Sequence, residues 1–423
     1  MSKRKILLII PWLPYPITSG GHHALYSGIK AIAEDMDIFI AYEAWDDKEY
    51  RAAKEAFLKI MPTIHLLPLL HHIIDVSDQS FYQRITYRIK VSIWNLIPHH
   101  SKKQNISHIS DLVKRWEETI KPQKKAWQDH ISNIFSKYSF DLIQVEMPWF
   151  LSFIYNLPIE TKKIYVHHEL GFVKRELEKR YWGNNKYLNT YKDYIDQIEI
   201  GQLNLYDAII TLSQIDAKKL VEKGVSKPVF PSFAAIESLT PYNNETCDGK
   251  RLVFLGASDN RPNVVGLKWF LDNCWNALID IDQTYHLYII GKWDQELIVE
   301  FEKKYPQIKF LGYVKELQDI LKGSIMIVPI TIGSGIRIKI LEACSKGVPF
   351  VSTSVGAEGI PVVDGVHCFI ADNADSFIDG IIKIQDSGIQ KKFAINSAIM
   401  IKENYSLNAL RKNRKAIYEA VLK

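Results

Sequence analysis

From Arg251 onward the chain is punctuated by short apolar runs that stop at a glycine, a proline or another small residue: LVFLG at Gly256, LYIIG at Gly291, IKFLG at Gly312, IMIVP at Pro329, PFVST at Thr353 and HCFIA at Ala371. Most of the intervening segments carry apolar residues at helical spacing. Runs that are apolar at every position suit strands buried on both faces, and parallel strands need crossover segments between them, so the pattern predicts an α/β domain with a doubly wound parallel sheet. The same alternation opens the chain at Lys5 to Ile10 and continues at Met36 to Tyr42 and Ile64 to Leu69. It resumes with DLIQVEMPWF at Asp141, KKIYVHHELGFVKRE at Lys162 and YDAIITLSQIDAKKL at Tyr206, where Ser213 reads as a helix N-cap with Asp216 three residues on. Between the two series, PVFPSFAAIESLTPYNNETCDGK from Pro228 has prolines, polar residues and Gly249 without periodicity, which predicts a hinge. The expected organisation is one domain over 1–236, a second over 237–405 and a terminal helix over 406–423. At 423 residues and 47% hydrophobic content, the chain can bury two cores.

The most informative stretch is IMIVPITIGSGIRIKILEACSKGVPFVSTSVGAEG, Ile325 to Gly359. A strand over Ile325 to Val328 ends at Pro329, a turn bears Gly333, Ser334 and Gly335, and a helix is expected over Ile336 to Ser345, followed by a strand over Pro349 to Thr353. A glycine turn feeding a helix leaves backbone N–H groups pointing outward at the positive end of the helix dipole, a ready site for a phosphate or pyrophosphate. Arg337 and Lys339 add fixed positive charge there. Glu342, three residues beyond Lys339, is spaced to face the same pocket one turn on and to accept hydrogen bonds from sugar hydroxyls. The competing reading is a βαβ crossover whose Gly-Ser-Gly is only a turn and whose Lys339 and Glu342 form a solvated pair. No run is followed by G-x-G-x-x-G, which argues against a nicotinamide or flavin dehydrogenase.

GSGIRIKILEA followed by GVPFVSTSVGAEG resembles the C-terminal half of retaining family-4 glycosyltransferases, and the resemblance implies a GT-B fold: two Rossmann-like domains, the first on the acceptor side and the second binding a nucleotide sugar, facing a central cleft. Members of that family commonly carry two glutamates seven residues apart. Glu342 matches the second, which the resemblance assigns to the nucleotide ribose; the first falls on Ser334, a departure that puts the handling of the donor hexose in doubt. The resemblance further implies that Gly20 and Gly21 lie under the donor phosphates or beside the acceptor. His168 would meet the donor hexose or the transferred group, Arg261 the pyrophosphate, and Val314 the nucleobase through its main chain. Gly335 and Ile336 complete the donor-binding set. Arg337 and Lys339, with His168, are the catalytic candidates. His22 and His23 stand where many relatives carry a basic residue, and each also reads as a plain residue of a helix N-terminus. For His168 the alternative is a histidine at the edge of the core, satisfied by backbone.

A net charge of +5 is mild for this length; it does not argue for nucleic acid and agrees with a phosphorylated ligand or an anionic membrane surface. The surplus is dense in a helical insertion expected over about 73–131. Tyr82, Arg84, Tyr87, Arg88, Lys90, Trp94, Lys102, Lys103, Lys114, Arg115, Trp116, Lys121, Lys124, Lys125 and Trp127 fall there. One reading is peripheral contact with lipid headgroups through residues 82–127; the other is an outer helical layer with a solvated charged face. Cys247, Cys274, Cys344 and Cys368 have no C-x-x-C spacing and read as reduced thiols. No signal segment or membrane-spanning stretch is expected, since the N-terminal apolar run breaks at Pro11. These features place the protein in the cytoplasm, at the inner face of the membrane in the docking reading.

Together these readings predict an enzyme that moves a hexose-type sugar from a nucleotide diphosphate sugar to a glycan, lipid-linked or other acceptor with retention, in surface polysaccharide or glycoconjugate synthesis. The partners expected are the donor and acceptor, with no nucleic acid. No cofactor or metal is expected, because no His/Cys/Asp cluster has ligand spacing and cationic side chains with a helix dipole can stabilise a departing diphosphate. Two rivals stay open: a non-catalytic nucleotide-sugar-binding partner, suggested by Ser334, and a nucleotide-sugar epimerase of the same fold.

Overall fold

A computed structural model describes residues 3–17, 20–71, 110, 112–178, 185–236, 249–314, 317–333 and 335–423. Ser334, Cys247 and the basic and aromatic residues from Tyr82 to Lys103 lie outside the described residues. The first sheet is built from β1 Arg4–Ile9, β2 Met36–Trp45, β3 His65–His71, β4 Leu142–Glu146, β5 Lys162–His167, β6 Ala208–Thr211 and β7 Val229–Pro231, in the order β3-β2-β1-β4-β5-β6-β7. The second contains β8 Arg251–Leu255, β9 His286–Ile290, β10 Ile308–Gly312, β11 Ile325–Val328, β12 Phe350–Ser352 and β13 Phe369–Ile370, in the order β10-β9-β8-β11-β12-β13. Every strand pair in both sheets is parallel. Two doubly wound parallel sheets with helices on their faces are the architecture the punctuation predicts.

In each sheet the strand order reverses once, at β1/β4 and at β8/β11. Crossover helices diverge to opposite faces at such a point and leave a crevice at the carboxyl ends of the two strands. The two crevices face each other. Ile336 and Ile338 of the second domain pack against Ala24, Leu212 and Ala234 of the first, and Lys219 bridges to Glu358 at 2.8 Å.

Three local expectations change. Val229–Pro231, read as the start of the hinge, forms β7, registered on Ile209, Ile210 and Thr211 of β6; an edge strand tolerates Pro228 and Pro231 because only one side needs ladder donors. The helix expected from Ile336 starts at Ile338, because Arg337 keeps non-helical angles (φ −86°, ψ 90°) that let Ile336 and Ile338 both reach the first domain. Within the described part of the basic stretch, the aromatic residues are core rather than membrane-facing. Trp127 is 2% exposed, stacks edge-on against Phe150 and Phe153 and donates to Glu43 Oε2 at 3.2 Å; Trp116 is 3% exposed and donates to Glu178 Oε2 at 2.9 Å. Trp127, Ile131 and Ile134 form the inner stripe of helix Lys125–Lys137, while Lys114, Arg115, Lys121, Lys124 and Lys125 are exposed. In this described part the basic residues thus face outward from a buried aromatic stripe. No described helix is long and apolar enough to cross a membrane. Cys274, Cys344 and Cys368 are buried free thiols.

The last helix, Leu407–Val421, returns to the first domain. Its Leu410, Ile417 and Tyr418 join the core formed by Leu25, Ile29 and β1, and Arg411 holds both carboxylate oxygens of Asp35, at 2.7 and 3.0 Å. A close approach places the first helix of the second domain. Gly266, in helix Arg261–Phe270, lies so near the end of β11 that a Cβ there would stand 2.5 Å from the carbonyl oxygen of Pro329. Gly266→Ala is therefore expected to destabilise the fold by about 1–3 kcal/mol through overpacking against rigid backbone, read as a lowered urea midpoint with an unchanged slope.

Candidate functional site

The interdomain crevice is a cavity of about 410 Å³ lined from both domains: Gly20, Gly21 and Ala24 after β1, His168 and Glu169 after β5, Leu212 and Ala234 after β6 and β7, Asn260, Pro262 and Asn263 after β8, and Ile330 and Gly333 to Lys339 after β11, Ser334 aside. Each of these residues follows the carboxyl end of a strand, which is why residues so distant in sequence meet. The glycines do steric work here. Gly333 has φ +125° and Gly335 φ +82°, backbone angles that L side chains rarely adopt, and Gly335 lies 3.8 Å from the carbonyl oxygen of His168 across the cleft, measured from the position of a Cβ. A Cβ on Gly20 would sit 3.4 Å from Ile338.

Lys339 is the central cation. Its Nζ donates to Asn263 Oδ1 at 2.9 Å and lies 4.7 Å from the centre of the Phe254 ring, a cation–π contact. Asn263 is itself pinned, its Nδ2 donating to the carbonyl of Ala257 at 3.0 Å, and Gly256 leaves the room it needs, since a Cβ there would be 2.6 Å from Asn263 Cγ. Burial, reinforced by the neighbouring Arg337, lowers the Lys339 ammonium to about 7 against the pull of Glu342. Arg337 is held below its ordinary value by burial, opposed by the carboxylates Glu358, Glu169 and Asp216, and its Nη1 donates to the carbonyl of Gly335. The cavity thus presents two desolvated cations, with Glu169 the one carboxylate among its described lining residues. Such a cavity is unfavourable empty and favours an anion that re-solvates both charges.

His168 enters the cavity from the other side and ends a chain of buried polar groups. Its Nε2 meets Glu146 Oε2 at 2.7 Å; Gln144 Nε2 donates to Glu146 Oε1 at 2.6 Å; and the Tyr418 hydroxyl donates to Gln144 Oε1 at 2.6 Å. Gln144 and Glu146 are two apart on β4 and so share one face of the sheet. Both Glu146 oxygens are engaged, so the imidazole of His168, a lining residue of the cavity, is held in place. His168 is thus neither a backbone-satisfied core histidine nor a solvated one.

The remaining sequence candidates are distributed around this centre. Arg261 opens helix Arg261–Phe270 at the rim, exposed, between the lining residues Asn260 and Pro262. Val314 follows β10 and packs on the second domain's core, away from the lining. Glu342 sits one turn below Lys339 on helix Ile338–Ser345, outside the cavity lining; burial raises its carboxyl, partly offset by Lys346 and Lys339. Ser334 lies outside the described residues. His22 and His23 occupy the first turn of helix Gly20–Ile32 rather than the cavity wall, and the His22 ring lies 5.4 Å from that of Trp12, tilted by 36°. Reading the sequence missed Asn263, Phe254 and Glu146 as positioning groups. Only Glu146, at a strand's carboxyl end, carried a local signal. Among the described residues, no group of three or more His, Cys, Asp or Glu is placed to hold a metal ion.

Comparison with known proteins extends the picture. Residues 249–387, within the second domain, match the family described as "Glycosyl transferases group 1". A Klebsiella pneumoniae protein described as an uncharacterized 44.6 kDa protein in the cps region is 22% identical over 421 residues, covering 95% of this chain and 96% of the relative. Among solved structures, TarM superposes with a TM-score of 0.68 at 11% identity, covering 100% of this chain and 99% of its own. Anabaena HepE in complex with UDP gives 0.65 at 11%, covering 99% and 100%. The sucrose-phosphate synthase of Thermosynechococcus elongatus gives 0.68 at 13%, covering 99% of each chain. At these identities the likeness establishes the fold, which is GT-B.

Removing the Tyr418 hydroxyl tests the buried chain behind His168. Tyr418→Phe leaves Gln144 Oε1 an unpaired buried acceptor and is expected to lower stability by about 1–3 kcal/mol. In a double-mutant cycle by urea unfolding, Tyr418→Phe and Gln144→Leu should couple by more than about 0.5 kcal/mol, because the second change removes the group the first left unpaired.

Proposed function

We propose that this protein is a retaining glycosyltransferase that takes a hexose-type sugar from a nucleotide diphosphate sugar and transfers it to a glycan or lipid-linked acceptor during surface polysaccharide synthesis. The observation that carries the reading is the pair of desolvated cations, Arg337 and Lys339, behind a positive-φ glycine turn in the cavity between two GT-B domains. In this reading the diphosphate lies against Lys339, Arg337 and the backbone around Gly335, with Arg261 closing the rim and Gly20 and Gly21 giving it close backbone approach. Glu342 is the ribose acceptor and Val314 meets the base. The Anabaena neighbour bound to UDP and the Klebsiella relative from a cps region support this class of donor and process.

The chemistry asked of the protein is modest. As the sugar–phosphate bond breaks, negative charge grows on the departing diphosphate, and cations already desolvated and fixed in place stabilise it without reorganising. Lys339, at about 7 in the ligand-free protein, is driven to its protonated form by an incoming dianion. His168, oriented by Glu146, faces the position of the sugar. Retention follows on this reading from attack on the same face that the diphosphate leaves, with a phosphate oxygen taking the acceptor proton, so no protein nucleophile is required. No metal is invoked, because the cationic pair supplies the charge stabilisation.

Two expected outcomes follow. Thermal unfolding against UDP, GDP, ADP, dTDP, CMP and NAD should show a shift with one nucleoside diphosphate. Lys339→Ala should weaken that ligand by about ten- to a hundredfold, the loss of a charge-assisted hydrogen bond of ~1.5–3 kcal/mol, and Glu342→Ala should also weaken it. Sugar transfer within a few-fold of wild type in either variant, or no shift with any diphosphate, would sink the assignment, while binding without turnover would favour the non-catalytic partner and sugar epimerisation without acceptor would favour the epimerase. The proton balance is a separate check. A Lys339 depressed to about 7 is largely neutral above that pH, and its pKa rises on binding an anion, so binding takes up a proton. Calorimetry in buffers of different ionisation enthalpy should show proton uptake between about pH 7 and 9 and weakening affinity as pH rises across that window. In Lys339→Met both effects should vanish.

A further inference from the structure

A second cavity, of about 380 Å³, lies in the first domain, within the ~300–1,000 Å³ range of small-ligand pockets. It adjoins the cleft through one residue: Glu169, next in sequence to His168, lines both cavities. Its aromatic wall is Trp149, 38% exposed, with Pro148 and the buried Trp116 beside it. Trp149 continues an aromatic band through Trp12, 5.7 Å away, to His22 in the turn after Gly20 and Gly21. The floor is rigid. Arg175, 2% exposed, donates from Nε to Asp196 Oδ1 at 2.7 Å and pairs with Glu199, which meets His167 at 3.2 Å. Gly171 lets the backbone lie directly on this network, since a Cβ there would stand 2.5 Å from Glu199 Oε2.

The charge of the lining decides what fits. Among the described lining residues, Arg115, Lys174 and Arg175 are balanced by Glu118, Glu169 and Glu178, three against three. Arg175 is moreover already neutralised by its buried partners. Among the described lining residues the cleft, with Arg337 and Lys339 against Glu169, carries a positive surplus that those of this cavity lack. A phosphate headgroup would find no uncompensated cation among the described lining residues. A half-exposed indole ringed by both donors and acceptors suits a neutral polyol, whose C–H face lies on the ring and whose hydroxyls pair with the charged rim.

We propose that this cavity is an acceptor subsite that binds a neutral sugar ring stacked on Trp149, with Glu169 at its junction to the cleft. The assignment rests on the transferase reading above: the ring's hydroxyl nearest Glu169 is the one delivered to the side of the cleft where His168 lies. Arg115, Glu118 and Lys174 then hold the ring's orientation and so govern which hydroxyl is presented.

The test uses the full chain without donor and, as probes, methyl α-D-glucopyranoside, methyl β-D-galactopyranoside, N-acetylglucosamine and maltose, with dodecyl phosphate as the charged lipid-like comparison. Saturation-transfer NMR and tryptophan fluorescence should detect at least one neutral sugar. Trp149→Ala should weaken it by at least about tenfold, Trp149→Phe should restore most of the affinity, and Glu118→Ala, at an exposed rim position, should weaken it several-fold. UDP binding should be unchanged in Trp149→Ala. If no neutral sugar binds, if binding persists undiminished in Trp149→Ala, or if dodecyl phosphate alone binds in a Trp149-dependent manner, the proposal is wrong. Failure of the donor reading has a different signature: Trp149-dependent sugar binding with no diphosphate binding in the wild type.

Discussion

Parallel strand pairing is the constraint on which everything else in this protein depends. A strand can lie parallel to its neighbour only if the chain returns over the sheet, so every strand of both domains delivers its carboxyl end, and the loop that follows, to one edge. The order reversals at β1/β4 and β8/β11 open that edge into two crevices, and Ile336 and Ile338 seat them against each other on Ala24, Leu212 and Ala234. A cavity between the domains is the geometric result. Residues as distant as Gly20, His168, Asn263 and Lys339 meet there because each follows a strand end.

The cavity's energetics follow from burying cations in it. Lys339 keeps one neutral acceptor, Asn263, and the face of Phe254; these hold it in place without neutralising it. Burial lowers its pKa and Arg337 adds to the fall, with Glu342 only partly opposing them, which leaves a free-energy difference that an anionic ligand can recover. Elsewhere the same chain buries charge in the opposite manner. Arg175, Asp196, Glu199 and Lys192 are mutually paired, and Glu199 is held down to about 2: burial acts to raise it, but His167 and Arg175 outweigh that. A network of direct ion pairs makes a firm floor, whereas two cations buried side by side in a cleft make a site that favours an anion.

The last helix joins these parts. Leu410 and Ile417 fill the first domain's core, and Tyr418 reaches Gln144 and, through it, Glu146 and His168. The chain therefore closes on itself: a segment that follows the second domain in sequence completes the polar support of a histidine in the first. Its position is fixed at the surface by Arg411 on Glu34 and Asp35.

Much of this was legible in the amino-acid sequence because it rests on local chemistry. Continuous apolar runs ending in glycine or proline identify buried parallel strands, Ser213 caps its helix through the Asp216 N–H at 3.0 Å, and Gly333 and Gly335 mark a turn that other residues would strain. A strand's carboxyl end points to His168 and a glycine turn feeding a helix points to Arg337 and Lys339, whereas Gly20 rests on the family resemblance alone. What stayed hidden depends on contacts between distant segments. Trp116 and Trp127, set among lysines, look like a surface patch until their neighbours Phe150 and Phe153 and their acceptors Glu178 and Glu43 are in place. Asn263 and Phe254 become a lysine's partners only when β8 and β11 lie side by side, and Val229–Pro231 becomes a strand only because β6 offers it an edge. Sequence alone therefore determined the strand-and-crossover architecture and the cationic glycine turn, since periodicity and backbone freedom are properties of neighbouring residues. Tertiary structure decided which side chains share a cavity, which charges are compensated and which aromatic residues are buried, because those depend on what a residue meets across space.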